Sequence, residues 1–146
     1  MITIDGSYGE GGGQILRTAL ALSSLTQQPF TLENIRLKRE KPGLNPQHLT
    51  AIKAVQKLCN ATTEGAEIRS QNIVFYPGEI KSRNIKIDIG TAGSITLVLQ
   101  SLLQPALFSD RNTKITIIGG TDVNMAPPAH YLQEILIPHV KKYSKD

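Results

Sequence analysis

The sequence predicts an α/β fold, of the α+β kind, in which a β-α-β-α-β-β unit is followed by a second, incomplete copy of the same order. Three observations carry this expectation. Apolar residues switch between a two-residue and a 3.6-residue period along the chain. Two turns rich in small residues each stand between an apolar strand and an apolar helix. Pro46-Gln47-His48-Leu49 is echoed about eighty residues later by Pro128-Ala129-His130-Tyr131-Leu132.

Taken in order, Thr3 to Asp5 reads as a strand and Gln14 to Thr26 as a helix whose Ile15, Leu16, Ala19, Leu20, Leu22 and Leu25 form a broad buried face. Pro29 to Arg36 reads as a second strand. The loop Lys41-Pro42-Gly43-Leu44 leads to Asn45-Pro46, an N-cap with proline at the first helical position. The helix it opens runs to about Asn60 on a stripe of Leu49, Ile52, Val55 and Cys59. Thr62 to Ile68 and Ile73 to Tyr76 then pair as a hairpin. The order begins again with a strand at Ile85 to Ile89, the turn Gly90-Thr91-Ala92-Gly93-Ser94, a helix at Ile95 to Leu107 and a strand at Lys114 to Ile118. Pro127 or Pro128 opens a last helix, Tyr131 to Tyr143. The expected division is residues 1–80 for the first unit and 81–146 for the incomplete second, both within one domain. A second unit without its closing strand pair leaves an open sheet edge, which seeks a separately supplied remainder or another copy.

Composition narrows the function classes. With 146 residues, 40% of them apolar, the chain can bury one core, and its apolar runs are too short to span a bilayer. Met1 to Asp5 has no basic signal-peptide start, so a cytoplasmic protein without a membrane role is expected. Cys59 is the single cysteine, which excludes an internal disulfide and reads as a core thiol. The net charge of +4 fits a polyanionic partner without requiring one. Arg36, Lys38, Arg39 and Lys41 cluster just after the second strand, with Arg36 and Lys38 on one face at the two-residue period. Two readings stay open there: a charged guard on an edge strand, or a phosphate-binding surface. Aromatic residues are too few for base-stacking platforms.

The segment from Gly6 to Arg17 holds five glycines with Glu10, Gln14 and Arg17. Such a turn leaves backbone N–H groups uncovered at a helix N-terminus, where the helix dipole favours an anion. Arg17 lies in the first turns of that helix, against the dipole, so a nearby anion accounts for it better than helix propensity does. The spacing fits neither the P-loop nor the dinucleotide fingerprint. Asp5 and Glu10 flank the turn and could hold a divalent ion, although capping explains them equally. His48 shares a face with Ile52 and Val55 and reads as a packing residue, His130 as its echo and His139 as a surface residue. No catalytic triad or metal-ligand motif is spaced along the chain.

Asp5-Gly6-Ser7, Glu10-Gly11-Gly12-Gly13-Gln14-Ile15-Leu16-Arg17, Ile35-Arg36 with Arg39, Lys41-Pro42-Gly43-Leu44, Gln47-His48-Leu49, Glu64-Gly65-Ala66-Glu67, Thr91-Ala92-Gly93-Ser94 with Gln100, and Gly119-Gly120-Thr121 with Met125-Ala126-Pro127 together resemble the RNA 3′-terminal phosphate cyclases. That resemblance implies repeated β-α-β-α-β-β units similar to the C-terminal domain of translation initiation factor three. It also implies an ATP-dependent, ligase-type enzyme acting on RNA 3′-phosphate ends. Such an enzyme adenylylates itself on histidine and passes AMP to the RNA 3′-phosphate. The 2′-hydroxyl then displaces AMP, leaving a 2′,3′-cyclic phosphate. By the same resemblance Glu10, Arg17, Arg36, Arg39 and Gln47 surround the nucleotide and RNA phosphates, Gln100 and Pro127 contact ATP, and a divalent cation, magnesium or manganese, accompanies it. The family's nucleophilic histidine matches none of His48, His130 or His139, so the chain is expected to be an N-terminal portion that is inactive alone. Two other readings are a non-catalytic cyclase-like module of the ribosome-assembly type and an enolpyruvyl transferase, which shares the repeated unit and a Gly-x-Ala-Gly-Ser/Thr turn.

Overall fold

The computed structural model describes residues 1–143; the last three residues of the predicted second unit lie outside them. The fold is mixed α/β, as the sequence predicts. Strands β1 (Ile2–Asp5), β2 (Phe30–Glu33), β3 (Thr62–Glu64) and β4 (Ile73–Tyr76) form one mixed sheet in the order β1-β2-β4-β3. β1 runs parallel to β2, and the other two pairings are antiparallel. Parallel strands need a crossover, which α1 (Gln14–Thr26) supplies. Helix α2 (Pro46–Cys59) links β2 to the β3–β4 pair. β5 (Asn84–Asp88) and β6 (Lys114–Ile118) form a parallel two-stranded sheet joined through α3 (Ile95–Leu107).

Alternation sets which face each sheet buries. Phe30 and Leu32 of β2 and Ile73 and Phe75 of β4 point inward, and the Phe30 and Phe75 rings meet across the register at 5.5 Å between centroids. Ile85 and Ile87 of β5 do the same in the second sheet, followed by Ile89 just beyond the strand. α1 packs on α2 and α3, and α2 packs on α3, so Leu16, Leu20, Val55, Leu58, Val98 and Leu102 belong to one continuous core. Cys59 is buried within it, its thiol donating to Val55 O at 3.2 Å, as a core thiol should. No described helix is long and apolar enough to cross a membrane.

Several expectations are corrected. The second strand ends at Glu33 rather than Arg36, because Asn34 and Arg36 both adopt left-handed backbone at φ 54°. Tight bonds from Leu37 N to Asn34 O and from Arg39 N to Arg36 O then coil residues 34–39 into turns. Arg36 and Lys38 therefore share no strand face. β2 is also interior to its sheet, which removes the edge-guard reading. β3 stops at Glu64, where Gly65 turns the chain at φ 71°. On α1, Leu22 is exposed and Leu25 half-buried, while Ser23 and Ser24 are buried; the Ser24 hydroxyl satisfies itself on Leu20 O at 2.8 Å. The last helical segment starts at Ala129 and ends at Lys141, as α4 (Ala129–Tyr131), a π-helical stretch Leu132–Leu136 and α5 (Ile137–Lys141). Pro138 has no N–H to continue the α-helical ladder, and Ile137 N bonds to Leu132 O, one residue further back than an α-helix reaches.

Candidate phosphate-binding site

The glycine turn is built by local bonds. Asp5 Oδ1 accepts from both the backbone N and the hydroxyl of Ser7, and from Asn34 Nδ2; the Ser7 bonds hold its carboxyl below the usual aspartate range. Gly6 donates to Glu33 O at 2.7 Å, and a Cβ there would strike that carbonyl. The turn delivers Gly13 to the N-cap of α1 with no side-chain cap and no acidic residue in the first turn. The first amides of α1 thus meet neither an acceptor side chain nor a compensating negative charge.

Arg17, one turn into α1, is 7% exposed. Its Nε donates to Gln100 Oε1 at 3.0 Å and its NH2 to Gln14 Oε1 at 3.2 Å. Burial lowers its pKa, yet a guanidinium stays charged at any physiological pH. Among the described residues no carboxylate pairs with it. A buried cation held by two neutral amides is costly until an anion joins it.

Arg39 completes the rim: its NH2 lies 3.5 Å from Glu10 Oε2 and beside Gly12. Glu10 is almost fully exposed. Arg36 is committed differently, with NH1 donating to Lys41 O at 2.8 Å and Gly43 O at 2.9 Å, so it braces the loop that precedes α2. Burial, together with the neighbouring charges of Arg39 and Arg69, lowers its pKa. Lys38 donates to Gly9 O at 3.2 Å, tying the same loop to the glycine turn.

His48, which the sequence reading took as packing, is buried at the third position of α2. It closes a capping box, its N–H donating to Asn45 Oδ1 while Asn45 N donates to its Nδ1. Its Nε2 faces Gly13 so closely that no side chain fits there, and the same space is bounded by Arg17 NH1. Burial, then the charges of Arg36 and Arg17, depress its pKa to about 3. No spacing rule places the N-cap of one helix against the third residue of another, so only the packing of α1 on α2 makes the pair visible.

The second glycine turn joins from the far side. Gln47 Oε1 accepts from Ser94 N at 3.1 Å, and Ser94 caps α3 by accepting from Leu97 N. Thr96 donates to Pro127 O at 2.7 Å and shares a hydrogen bond with Ser94. The N-termini of α2 and α3 are therefore bonded to each other. Arg17 and Gln100, 83 residues apart in sequence, bond directly. Glu10, Arg17, Arg39, Gln47 and Gln100 thus gather around the N-terminal halves of α1, α2 and α3. Arg36 backs the cluster, and Pro127 is tied in by its carbonyl.

A groove of about 930 Å³ between α2 and β5, lined by Leu49, Lys53, Lys57, Arg83 and Ile87, contains none of these residues. The cluster lies outside that groove, and its guanidinium groups and helix N-termini suit phosphate oxygens better than an apolar ligand. Among the described residues no three His, Cys, Asp or Glu side chains are grouped to hold a metal ion, and Asp5 is occupied by Ser7 and Asn34.

What this arrangement can do chemically is hold anionic oxygens with guanidinium groups and helix amides. The family model described as RNA 3′-terminal phosphate cyclase matches residues 8–146, and the chain belongs to that family. It is similar to proteins of that name from Pyrococcus furiosus, 55% identical over 142 residues covering 97% of this chain and 42% of the relative. The Nitrosospira multiformis protein is 54% identical over 140 residues, 96% and 40% of the two chains. That of Archaeoglobus fulgidus is 53% identical over 137 residues, 94% and 42%. The chain therefore spans about two-fifths of the length of these curated relatives. Neither the family model nor these names favour the enolpyruvyl transferase reading.

Proposed function

We propose that this chain contributes the phosphate- and nucleotide-binding surface of an ATP-dependent RNA 3′-terminal phosphate cyclase. The observation that carries the reading is Arg17, a buried guanidinium without a carboxylate partner, beside the uncapped N-terminus of α1. Arg17 and Arg39 are assigned to phosphate oxygens. Gln47 and Arg36 hold the loops, Glu10 orients Arg39, and Gln100 and Pro127 lie on the nucleotide side. Guanidinium groups and fixed amides stabilise the charge that develops during adenylyl transfer. A magnesium or manganese ion would arrive with the nucleotide, ligated mainly by its phosphates, since the described carboxylates form no cluster for it.

In the reaction proposed for the whole protein, a histidine nitrogen attacks the α-phosphorus of ATP and pyrophosphate leaves. AMP then passes to the RNA 3′-phosphate, and attack by the 2′-hydroxyl releases it. The three histidines here are poor candidates for the first step. His48 uses Nδ1 as an acceptor from Asn45 and carries its proton on Nε2. His139 bonds Ile135 O through Nδ1 at 2.8 Å, and His130 is exposed, with no hydrogen bond among the described residues to the Arg17 cluster; none of the three matches the family's nucleophile. We further propose that residues 1–80 and 81–146 are copies of one unit, that the free edge of β6 pairs with a further strand, and that the protein works in the cytoplasm.

Calorimetric titration of the 146-residue chain with ATP tests the reading. Binding is expected, with no covalent AMP on any histidine by peptide mass spectrometry. Arg17→Met should weaken binding at least tenfold while leaving the melting temperature within a few degrees, because it removes a buried charge that lacks a counterion. Unchanged affinity in Arg17→Met refutes the assignment. Absence of any nucleotide or RNA 3′-phosphate binding favours the non-catalytic module instead.

A further inference from the structure

We propose that the groove between α2 and β5 holds the phosphodiester backbone of the RNA strand that leads to the 3′-end, recognised by its charge and not by its sequence. The proposal rests on the proposed phosphate site and extends it by naming where the rest of the substrate lies. The two elements run antiparallel past each other. Lys81 N donates to Leu58 O at one end and Lys57 Nζ to Lys86 O further along, while at the other end Ser94 N, beyond β5, donates to Gln47 Oε1. The groove therefore opens at Pro46 and Ile89, beside the N-termini of α2 and α3, and follows α2 for about 21 Å to Asn60 and Arg83. An RNA whose last phosphate is held at those N-termini finds its continuation there.

The lining decides the chemistry of the occupant. Lys53, Lys57, Arg83 and Lys86 face the groove against the single carboxylate of Asp88, which already accepts from Gly90 N. Lys53 and Lys57 are exposed and stand one turn apart on α2, where like charges repel. Among the described residues no carboxylate pairs with any of the four cations. Arg83 carries the argument further, because its Nε is buried and has no hydrogen-bond partner among the described residues. Such a donor is costly until an acceptor arrives, and a phosphate oxygen is an acceptor that also brings the missing negative charge. A file of cations along a channel matches a strand that carries one charge per nucleotide. No aromatic side chain lines the groove, so bases have nothing to stack on and recognition falls to the backbone.

Fluorescence anisotropy of the 146-residue chain tests the proposal with three labelled RNAs: a dodecamer ending in 3′-phosphate, the same dodecamer ending in 3′-hydroxyl, and a dinucleotide ending in 3′-phosphate. The phosphorylated dodecamer should bind about tenfold more tightly than the dinucleotide, and equally well when its base sequence is scrambled. Lys53→Gln combined with Lys57→Gln should weaken the dodecamer about tenfold, Arg83→Gln about fivefold, and both should leave the dinucleotide unchanged. The lysine pair should also flatten the slope of log affinity against log salt by about 1.4, or roughly 0.7 for each charge removed. Dodecamer and dinucleotide binding alike, or groove variants that weaken both or neither, overturns the proposal. Failure of the phosphate site reads differently: the two dodecamers then bind alike, while a selective loss in the lysine variant still supports the groove. Both lysines are exposed, so that variant decides the matter if Arg83→Gln does not fold. A polyglutamate peptide that binds as tightly as the dodecamer, and loses as much in the lysine variant, would assign the groove to an acidic protein segment and overturn the RNA assignment.

Discussion

His48 couples the site to the stability of the fold through its proton. In the folded chain burial, Arg36 and Arg17 keep the ring neutral down to about pH 3, whereas an unfolded chain protonates it near 6.5. Between those values the unfolded state binds more protons, so stability falls as pH falls, by at most about 1.4 kcal/mol per unit. Above pH 6.5 the contribution is complete. Urea unfolding of the wild type and of His48→Gln at pH 7.5 and pH 5 should show a steeper loss in the wild type. Equal losses would mean that the ring titrates normally in the folded state. Arg17 adds a second residue-scale tension, because in the proposed site the buried charge that weakens the free protein is the one assigned to a phosphate. Sites of this kind trade stability for binding.

At the scale of elements, the helix N-termini do more than start helices. α2 begins with a capping box and α3 with a Ser94 cap, but α1 begins on a bare glycine, and that difference is why the proposed anion site is placed there. Gly13 has ordinary helical backbone, φ −65°, so alanine is conformationally acceptable there. Its Cβ would nonetheless collide with His48. Gly13→Ala is therefore expected to cost about 1–3 kcal/mol by overpacking against the imidazole. Thermal unfolding reads the cost; a Gly13→Ala variant as stable as the wild type would show that the imidazole does not pack against that glycine. Much of this was legible beforehand. The glycine turn, Arg17, the Asn45-Pro46 helix start and the limits of α3 and β6 all follow from local pattern. Local pattern did not reveal that residues 34–39 coil, because the same alternation of Ile35, Leu37 and charged residues suits a strand. Two left-handed residues, neither of them glycine, decide it. Nor did it reveal His48 packed against Gly13, a contact between segments distant in sequence, or Arg36 as a brace of the loop that follows it.

For the whole molecule, the site and the core are held by the same interface. α3 lies against both α1 and α2, and the Arg17–Gln100 bond crosses the α1–α3 contact. Leu102, two residues beyond Gln100, is fully buried in the cluster that also contains Leu16, Leu20 and Ile52. The β5–β6 sheet therefore has no core of its own. Ile85 and Ile87 lean on the helices that also cover the first sheet, so neither sheet should unfold separately. Leu102→Ala is expected to cost about 2–5 kcal/mol, from lost burial plus the cavity left behind. Helical circular dichroism and hydrogen exchange at the amides of β2 and of β5 should then lose stability together, in one transition. Affinity for phosphate should fall as well, because a looser α3 no longer fixes the Gln100 amide that orients Arg17. Two separated transitions, or β5 amides that exchange freely while β2 stays protected, would instead make the second unit an independent attachment. The Arg17–Gln100 contact could not then hold both halves of the site in place.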